Sequence, residues 1–150
     1  MTNVRTHCIT PCLWFDNNAE DAIRLYTSVF RNSKIVHLHP VLSTFEIDGQ
    51  RIMALNGGPH FKFTEAISLF VSCDTQEEID YYWERLKADG GAEVQCGWLK
   101  DKFGLSWQIV PAILSEMMND PDRQKTERVM QAVLKMKKLN IRELKQAYAE

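Results

Sequence analysis

Apolar positions near the start of the chain predict one strand followed by one amphipathic helix. Residues 7–15 are rich in apolar and aromatic side chains, which is typical of a strand. Residues 16–18, Asp-Asn-Asn, supply turn and cap side chains before a helical pattern begins. In that pattern the apolar residues recur at steps of three and four and form one stripe: Ala19, Ala22, Ile23, Tyr26, Val29 and Phe30.

Three short apolar runs follow, and they predict strands over residues 34–39, 41–47 and 51–55. Pro40 separates the first two runs, and Asp48-Gly49, a strong tight-turn signal, separates the last two. The Asn-Gly-Gly-Pro sequence that comes next interrupts the pattern, because no strand passes through such a group of breakers.

The second half of the chain begins with the same order of elements. Residues 66–73 predict a strand, and residues 75–78, Thr-Gln-Glu-Glu, form a capping box for a second helix. The Asp-Gly-Gly sequence at residues 89–91 ends that helix, as a glycine C-cap does. Residues 93–100 and 105–110 then predict two strands with a hinge between them.

The two halves thus repeat a strand, a helix and two or three short strands, at a period of roughly 55 residues. Two such βαβββ repeats favour an α+β fold in which curved mixed sheets face one another around a cleft and helices cover their outer faces. The predicted modules are residues 1–58 and 59–111. After Pro111 the pattern becomes helical, so residues 112–150 are predicted to form a C-terminal helical tail of one compact domain, with Asn140 capping the last helix.

Composition narrows the class of protein. Of 150 residues, 45% are hydrophobic and 25% charged, as in a globular protein. The net charge of -2, from 18 basic and 20 acidic residues, disfavours nucleic-acid binding. No stretch looks like a signal sequence or approaches the ~18 to 20 apolar residues of a membrane span, so we expect a cytoplasmic protein without a membrane partner. The four cysteines form no CxxC pair, which predicts reduced, mostly buried thiols.

Two motifs carry a family resemblance. Residues 54–63, Ala-Leu-Asn-Gly-Gly-Pro-His-Phe-Lys-Phe, and residues 96–108, Cys-Gly-Trp-Leu-Lys-Asp-Lys-Phe-Gly-Leu-Ser-Trp-Gln, closely resemble PhnB-like proteins of the vicinal-oxygen-chelate superfamily. Residues 12–16 and 128–132 agree with this family, whereas residues 36–41 are shorter than its strand connection. The resemblance implies a glyoxalase/bleomycin-resistance-like fold over nearly the whole chain.

Many members of that family carry the label 3-demethylubiquinone-9 3-methyltransferase, which can be tested against the residues. A typical methyltransferase that binds S-adenosylmethionine uses a glycine-rich turn between a strand and a helix. This chain has no GxGxxG sequence, because Gly57-Gly58 precede a proline and Gly90-Gly91 close a helix. We therefore expect no methyl transfer.

The resemblance also implies where a metal would lie. Glyoxalase-type members hold a divalent ion with His or Glu at four strand positions, which match approximately Pro11, Met53, Ser68 and Gln108 in this chain. A catalytic metal site normally needs about three imidazole, thiolate or carboxylate ligands. These four residues do not supply them, so we predict neither a metal nor another cofactor.

Three histidines are candidates for chemistry. His37 and His39 project from one face of a strand and can approach one ion, although two hydrogen-bonded histidines on an edge strand are the favoured interpretation. His60 lies in the Gly-Pro-His-Phe sequence at the junction of the repeats, where an imidazole can act as a proton shuttle or a ligand contact. We take His60 as the candidate catalytic residue, with a turn-stabilising role as the alternative.

Strand alternation selects the candidate ligand-binding residues. In the strand over residues 66–73, alternation puts Ser68 and Phe70 on one face. In the strand over residues 105–110 it puts Ser106 and Gln108 on one face and Trp107, which we expect in the core, on the other. Cys96, Trp98 and Lys100 are predicted to share a face, so that an indole stacks on a planar ligand and the ammonium meets an anion. The full predicted set is Met53, Ser68, Phe70, Cys96, Trp98, Lys100 and Gln108.

Three functional hypotheses result. The leading one is a metal-free pocket, across the repeats or in a homodimer, that binds a small organic ligand without chemistry, as bleomycin-resistance proteins do. The alternative is an enzyme of the same superfamily, an isomerase, lyase or dioxygenase-like catalyst that uses His60 or the pair His37 and His39. The third is a protein-interaction module on the methionine-rich C-terminal helices, since methionine surfaces adapt to partners.

Overall fold

The computed structural model describes residues 8–150, which form two compact units divided between Lys62 and Phe63. The first unit contains β1 (Cys12–Phe15), α1 (Ala19–Val29), β2 (Ser33–His37), β3 (Leu42–Ile47) and β4 (Gln50–Asn56). The second contains β5 (Ser68–Cys73), α2 (Gln76–Lys87), β6 (Ala92–Glu93), β7 (Trp98–Lys100) and β8 (Ser106–Pro111). Three further helices complete it: α3 (Ile113–Met118), α4 (Arg123–Leu134) and α5 (Ile141–Ala149).

Each unit has one four-stranded mixed sheet, and the strands follow the same pattern in both. The order is β1-β4-β3-β2 in the first unit and β5-β8-β7-β6 in the second. The first and last strands of each repeat pair in parallel, and the other pairs are antiparallel. The predicted α+β fold of two βαβββ repeats with a C-terminal helical tail is confirmed.

One face of each sheet packs against the helix of its own repeat. In the first unit Ile23 and Tyr26 of α1 are fully buried with Phe45 and Ala54 of the sheet. In the second unit the buried residues of α2 are Ile79, Trp83 and Leu86, which recur at steps of four and three along the helix. Helical periodicity of three and four thus identified the faces that form the cores.

The start of α1 differs from the sequence prediction. Asn18 occupies the N-cap position, but its side chain makes no capping hydrogen bond. The backbone N–H of Ala19 instead donates to Oδ1 of Asn56, at 3.0 Å, from the end of β4. The second helix follows its prediction, because the N–H of Glu78 donates to Oγ1 of Thr75 at 3.2 Å.

The strand predicted over residues 93–100 is wrong, because a bend at residues 94–97 divides it into β6 and β7. Cys96 and Gly97 both have positive φ, 62° and 83°, so the chain turns sharply there. Their backbone N–H groups donate to the carbonyl oxygens of Met136 and Lys137, at 2.8 and 2.7 Å. These partners lie far along the chain, which is why no local sequence signal revealed the bend.

The C-terminal helices add a second apolar cluster to the second unit. Val129, Leu139 and Leu144 are buried in it together with Val110 from the end of β8. Asn140 caps α5 as predicted, since its Oδ1 accepts from the N–H of Glu143 at 3.0 Å. Between residues 8 and 150, no helix has the length and apolar character that crossing a membrane requires.

Candidate ligand-binding site

The sheet of the second unit presents two rows of side chains on the face opposite α2. Cross-strand pairing places Phe70 and Trp98 on either side of Gln108, and we call these three residues the aromatic row. One step along the strands, the same pairing places Ser68 and Lys100 on either side of Ser106.

We call Ser68, Ser106 and Lys100 the polar row. Side chains two residues apart on a strand lie on one face, so the two rows are neighbours, separated by ~6.6 Å along the strands.

The aromatic row is open and its central amide is fixed. Phe70 is 60% exposed, although a phenyl ring in water exposes a large apolar area. Nε2 of Gln108 donates to Oγ of Ser68 at 2.9 Å, and the amide oxygen, which has no hydrogen-bond partner among residues 8–150, can accept from a ligand. A planar molecule can therefore contact two rings while it donates to an oriented amide.

The polar row combines a paired cation with a hydroxyl that lacks a partner. Lys100 forms an ion pair with Glu65, which precedes β5. The ammonium of Lys100 lowers the pKa of the Glu65 carboxyl by donating a hydrogen bond to it. Ser106 is 1% exposed, and within the described residues its Oγ has no hydrogen-bond partner.

Trp107, the residue between Ser106 and Gln108, points to the opposite face and is buried, as alternation predicts. Its Nε1 donates to Oδ2 of Asp101 at 2.9 Å. The other carboxylate oxygen of Asp101 accepts from the N–H groups of Phe103 and Leu105, at 2.9 and 3.1 Å. This carboxylate therefore organises the whole β7–β8 turn.

The motif at residues 54–63 also has a packing function. Nε1 of Trp14 donates to the carbonyl of Gly58 at 2.9 Å, and the ring meets Phe61 edge to face with centroids 4.9 Å apart. A Cβ on Gly57 would lie 2.3 Å from the Trp14 ring, so only glycine fits without displacement. His60 lies in this loop with its side chain exposed, and no hydrogen bond from residues 8–150 orients it.

Two predicted binding residues are not part of the two rows. Met53 belongs to β4 of the first unit, where it pairs with Cys12 and donates its N–H to the carbonyl of Pro11 at 2.9 Å. Cys96 lies in the bend before β7 and packs against the C-terminal cluster. It does not share a face with Trp98 and Lys100, because the strand on which that expectation rested is interrupted.

The prediction that His37 and His39 lie on one strand is wrong, because β2 ends at His37 and His39 lies beyond it. The rings of His37 and His39 are nearly parallel, with centroids 6.1 Å apart. Nδ1 of His39 accepts from the N–H of Val41 at 3.1 Å, so that nitrogen is occupied. Across residues 8–150, no group of three or more His, Cys, Asp or Glu side chains is positioned to hold a metal ion.

The cysteines are all unpaired, but the prediction of mostly buried thiols is wrong, because Cys8 and Cys12 are exposed and only Cys73 is buried. Cys73 is buried, and burial raises the pKa of its thiol to about 12. Cys12 is exposed at the start of β1, although partial desolvation raises its pKa too. Neither thiol is activated as a nucleophile, because activation requires a lowered pKa.

A groove of about 760 Å³ lies between α4 and α5 and contains none of the predicted site residues. Its walls are mostly charged and amide side chains, including Glu127, Arg128, Lys135 and Glu143. Such a lining is typical of a solvated helix surface rather than of a ligand pocket, which is mainly apolar.

Sequence reasoning missed Glu65 and Asp101, and it did not select Ser106 as a site residue. Ser106 was placed on the right strand face, but its burial depends on neighbours that periodicity does not reveal. The buried carboxylate of Asp101 had one signal, since an Asp followed three residues later by Gly is typical of a side-chain-stabilised turn. Glu65 had no signal at all.

Comparison with known proteins places residues 7–110 within the family model described as 3-demethylubiquinone-9 3-methyltransferase. Among solved structures, the PhnB protein of Bacillus cereus is 35% identical, with a TM-score of 0.64. It is matched over 100% of its length by 71% of this chain. No curated protein matches the sequence.

More distant structures share the fold. A glyoxalase-related enzyme from Fulvimarina pelagi is 14% identical with a TM-score of 0.52, over 71% of this chain and 90% of that one. A glyoxalase/bleomycin resistance protein from Albidiferax ferrireducens is 13% identical with a TM-score of 0.50, over 66% of this chain and 93% of that one. At these identities the likeness concerns the fold alone.

Proposed function

Since the chain belongs to the PhnB-like family of the 3-demethylubiquinone-9 3-methyltransferase model, within the glyoxalase/bleomycin-resistance superfamily, we propose that it binds a small organic ligand on the second sheet. The proposed site consists of the aromatic row and the polar row. The observation that carries the proposal is the fixed amide of Gln108 between two partly exposed aromatic rings.

The side chains of the aromatic row suit a planar molecule with a hydrogen-bond donor. Stacking on Phe70 and Trp98 removes apolar area from water, which contributes roughly 25 cal/mol per Å². The Ser68 hydroxyl holds the Gln108 side chain in one orientation, so little side-chain entropy is lost when a ligand binds. In small-molecule sites a polar group commonly fixes the orientation of the ligand, while apolar and aromatic side chains provide most of the contact area.

We propose binding without a resident metal, because the residues at the family's metal positions serve other purposes. Ser68 and Gln108 hydrogen-bond to each other, and Met53 offers a thioether at most. Thioethers favour soft ions such as Cu(I), whereas a catalytic divalent site normally needs imidazole, thiolate or carboxylate ligands.

We do not propose methyl transfer, since neither glycine pair is arranged to hold a nucleotide-like cofactor. Gly57 is packed against the Trp14 ring, and Gly91 lies against the carbonyl oxygens of Lys87 and Lys100. Both glycines therefore have packing reasons for the absence of a Cβ. Neither pair opens a helix N-terminus, which is where such a cofactor binds.

We further propose that the protein is a cytoplasmic homodimer. Several large apolar side chains outside the two rows are more than half exposed, which favours burial against a second copy: Ile9, Val41, Phe61 and Ile67. Exposed Cys8 and Cys12 are unpaired, as is usual in a reducing compartment. Light scattering on the purified protein measures the subunit number, and a monomer at micromolar concentration would contradict the dimer.

Native mass spectrometry on protein purified without chelator tests the binding proposal first. We expect an organic adduct that denaturation releases, and no stoichiometric divalent ion. A Phe70→Ala variant should lose the adduct, because half of the stacking surface is removed. Tyr81→Ala is the matched control, since Tyr81 is an exposed aromatic residue on α2 of the same unit. One divalent ion per subunit would contradict the metal-free proposal.

The enzyme alternative rests on His60, whose exposed position provides no orienting partner among the described residues. The test is a His60→Ala variant assayed for binding of the adduct and for turnover of the released compound. If the protein is a binder, this variant keeps the adduct and neither protein converts it. Turnover by the wild type that His60→Ala abolishes would favour the enzyme.

A further inference from the structure

The polar row indicates the charge of the ligand, which the aromatic row does not determine. Ser106 lies between Ser68 and Lys100 on the sheet face opposite α2. Its hydroxyl is buried and has no hydrogen-bond partner from residues 8–150. A buried hydroxyl that makes no hydrogen bond is costly, so native structures rarely contain one unless something else binds there.

The cation beside this hydroxyl already holds a carboxylate. Lys100 is the direct cross-strand neighbour of Ser106, and its ammonium contacts Oε1 of Glu65. Glu65 is 58% exposed and comes from the segment before β5 rather than from the sheet. Because the pair is solvent-exposed, the contact with Lys100 is weak and another anion can replace it.

From these observations we propose that the ligand is an organic anion whose charged group displaces the Glu65 carboxylate from Lys100 and, unlike that carboxylate, also accepts a hydrogen bond from the Ser106 hydroxyl. The inference rests on the proposed binding site and adds the class of ligand to it. A carboxylate accepts from both the ammonium and the hydroxyl, so one group satisfies the donor that Ser106 leaves unused.

The spacing of the rows fits a molecule with two parts. The rows are ~6.6 Å apart along the strands, so an aromatic body on Phe70 and Trp98 leaves its acidic group near Lys100. The ligand class is therefore a small aromatic acid. A neutral aromatic molecule of the same shape would contact the rings but leave the ammonium with Glu65.

The test compares phenylacetate with phenylacetamide, which have nearly the same shape and differ in charge. Titration of ¹⁵N-labelled protein, followed by ¹H–¹⁵N NMR, gives a dissociation constant for each compound and identifies the residues affected. We expect the wild type to bind phenylacetate about fivefold more tightly, the upper range for one exposed ion pair, and the preference to fall with added salt.

Three variants assign that preference to the proposed groups. Lys100→Met should reduce it to about one, and Glu65→Gln should strengthen phenylacetate binding alone because the competing carboxylate is gone. Ser106→Ala should weaken phenylacetate more than phenylacetamide. Lys102→Met is the matched control, since Lys102 is an exposed lysine of the same hairpin and should leave the preference unchanged.

The possible outcomes separate this inference from the proposed site. Equal affinities with shifts at Phe70 and Gln108 would overturn the anionic ligand but support the binding site. A preference that survives Lys100→Met would also overturn the inference, because the charge would then be recognised elsewhere. If neither compound shifts the resonances of the two rows at millimolar concentration, both the site and the inference fail.

Discussion

The two units close their last hairpins in different ways, although both repeat one order of strands. In the first unit Asp48 and Gly49 turn the chain between β3 and β4 with φ of 51° and 79°, which their backbones adopt readily. In the second unit the turn between β7 and β8 is built around the buried carboxylate of Asp101, which accepts three hydrogen bonds. The first turn is specified by local preference and the second by a side chain in the core.

One tryptophan from each unit, Trp14 and Trp107, shows the same difference between an exposed contact and a buried one. Trp14 lies on β1 and holds an exposed loop through the carbonyl of Gly58. Trp107 lies on β8, is 1% exposed and binds the carboxylate of Asp101. Both family motifs thus take part in a tryptophan hydrogen bond, but the one in the second motif lies in the core. Substitutions that break this second hydrogen bond should therefore lower the free energy of unfolding more.

The largest expected effect is that of Asp101→Ala. It leaves the N–H groups of Phe103 and Leu105 and the indole N–H of Trp107 without their acceptor, at a cost of about 4 kcal/mol in the free energy of unfolding. Urea denaturation measures this loss. The control is Asp48→Gly in the other hairpin, which should cost less than about 1 kcal/mol because glycine adopts the same positive φ. Similar losses for both variants would contradict the comparison.

Leu139→Ala tests whether the second unit depends on its C-terminal helices, which the first unit lacks. Leu139 is fully buried in the apolar cluster, so truncation should cost about 3 kcal/mol in unfolding free energy. Leu134, 53% exposed on α4, provides the matched control, and Leu134→Ala should stay within about 0.5 kcal/mol of the wild type. If the two variants unfold alike, the cluster does not stabilise the second unit.

Gly57→Ala tests the close contact between Gly57 and the Trp14 ring in the first unit. Its Cβ would overlap the Trp14 ring, so the loop must shift at a cost of about 2 kcal/mol. The indole N–H resonance of Trp14 should move as its bond to Gly58 is disturbed. Gly49→Ala is the control, because that site has positive φ but open space, and we expect about 1 kcal/mol with no change at Trp14. An undisturbed Trp14 resonance in Gly57→Ala would refute the close contact.

The smallest expected effect concerns pH. Hydrogen bonds from Arg51 and from Lys34 lower the pKa of Glu46 on the first sheet. The folded-state pKa therefore lies below the unfolded value of about 4.3. The stabilising contribution of the ionised Glu46 to the folded state is present above that value and is lost as the pH falls through the folded-state pKa. Carboxyl ¹³C NMR should show the pKa of Glu46 rising in an Arg51→Met variant. An unchanged titration curve would mean that this ion pair is not formed in solution.

Periodicity was sufficient to predict the helices and the two sheets, because the apolar stripes of α1 and α2 are the faces that became buried. Alternation also placed Ser68, Gln108 and Trp107 on their observed faces. These patterns are local, since each depends on which side chains lie two, three or four residues apart. The α+β fold of two βαβββ repeats was accordingly predictable from periodicity, and the family resemblance implied its likeness to the glyoxalase/bleomycin-resistance fold.

Long-range contacts account for the remainder. The cap of α1 comes from Asn56 and the bend before β7 depends on Met136 and Lys137, so neither could be found in the neighbouring sequence. The candidate site shows the same limit. Its strand face was predicted, but the ion pair between Glu65 and Lys100 and the burial of Ser106 depend on how separate segments meet.

The bend at Cys96 and Gly97 has a consequence for how this chain can evolve. The family model ends at residue 110, yet the carbonyl groups that hold the bend belong to residues 136 and 137. A Cβ on Gly97 would come within 3.0 Å of the Leu139 side chain, so the bend and the tail constrain each other's residues. Their mutations should be epistatic, as is usual for residues in contact. Although the tail lies outside the family match, its residues therefore cannot vary independently of the bend before β7.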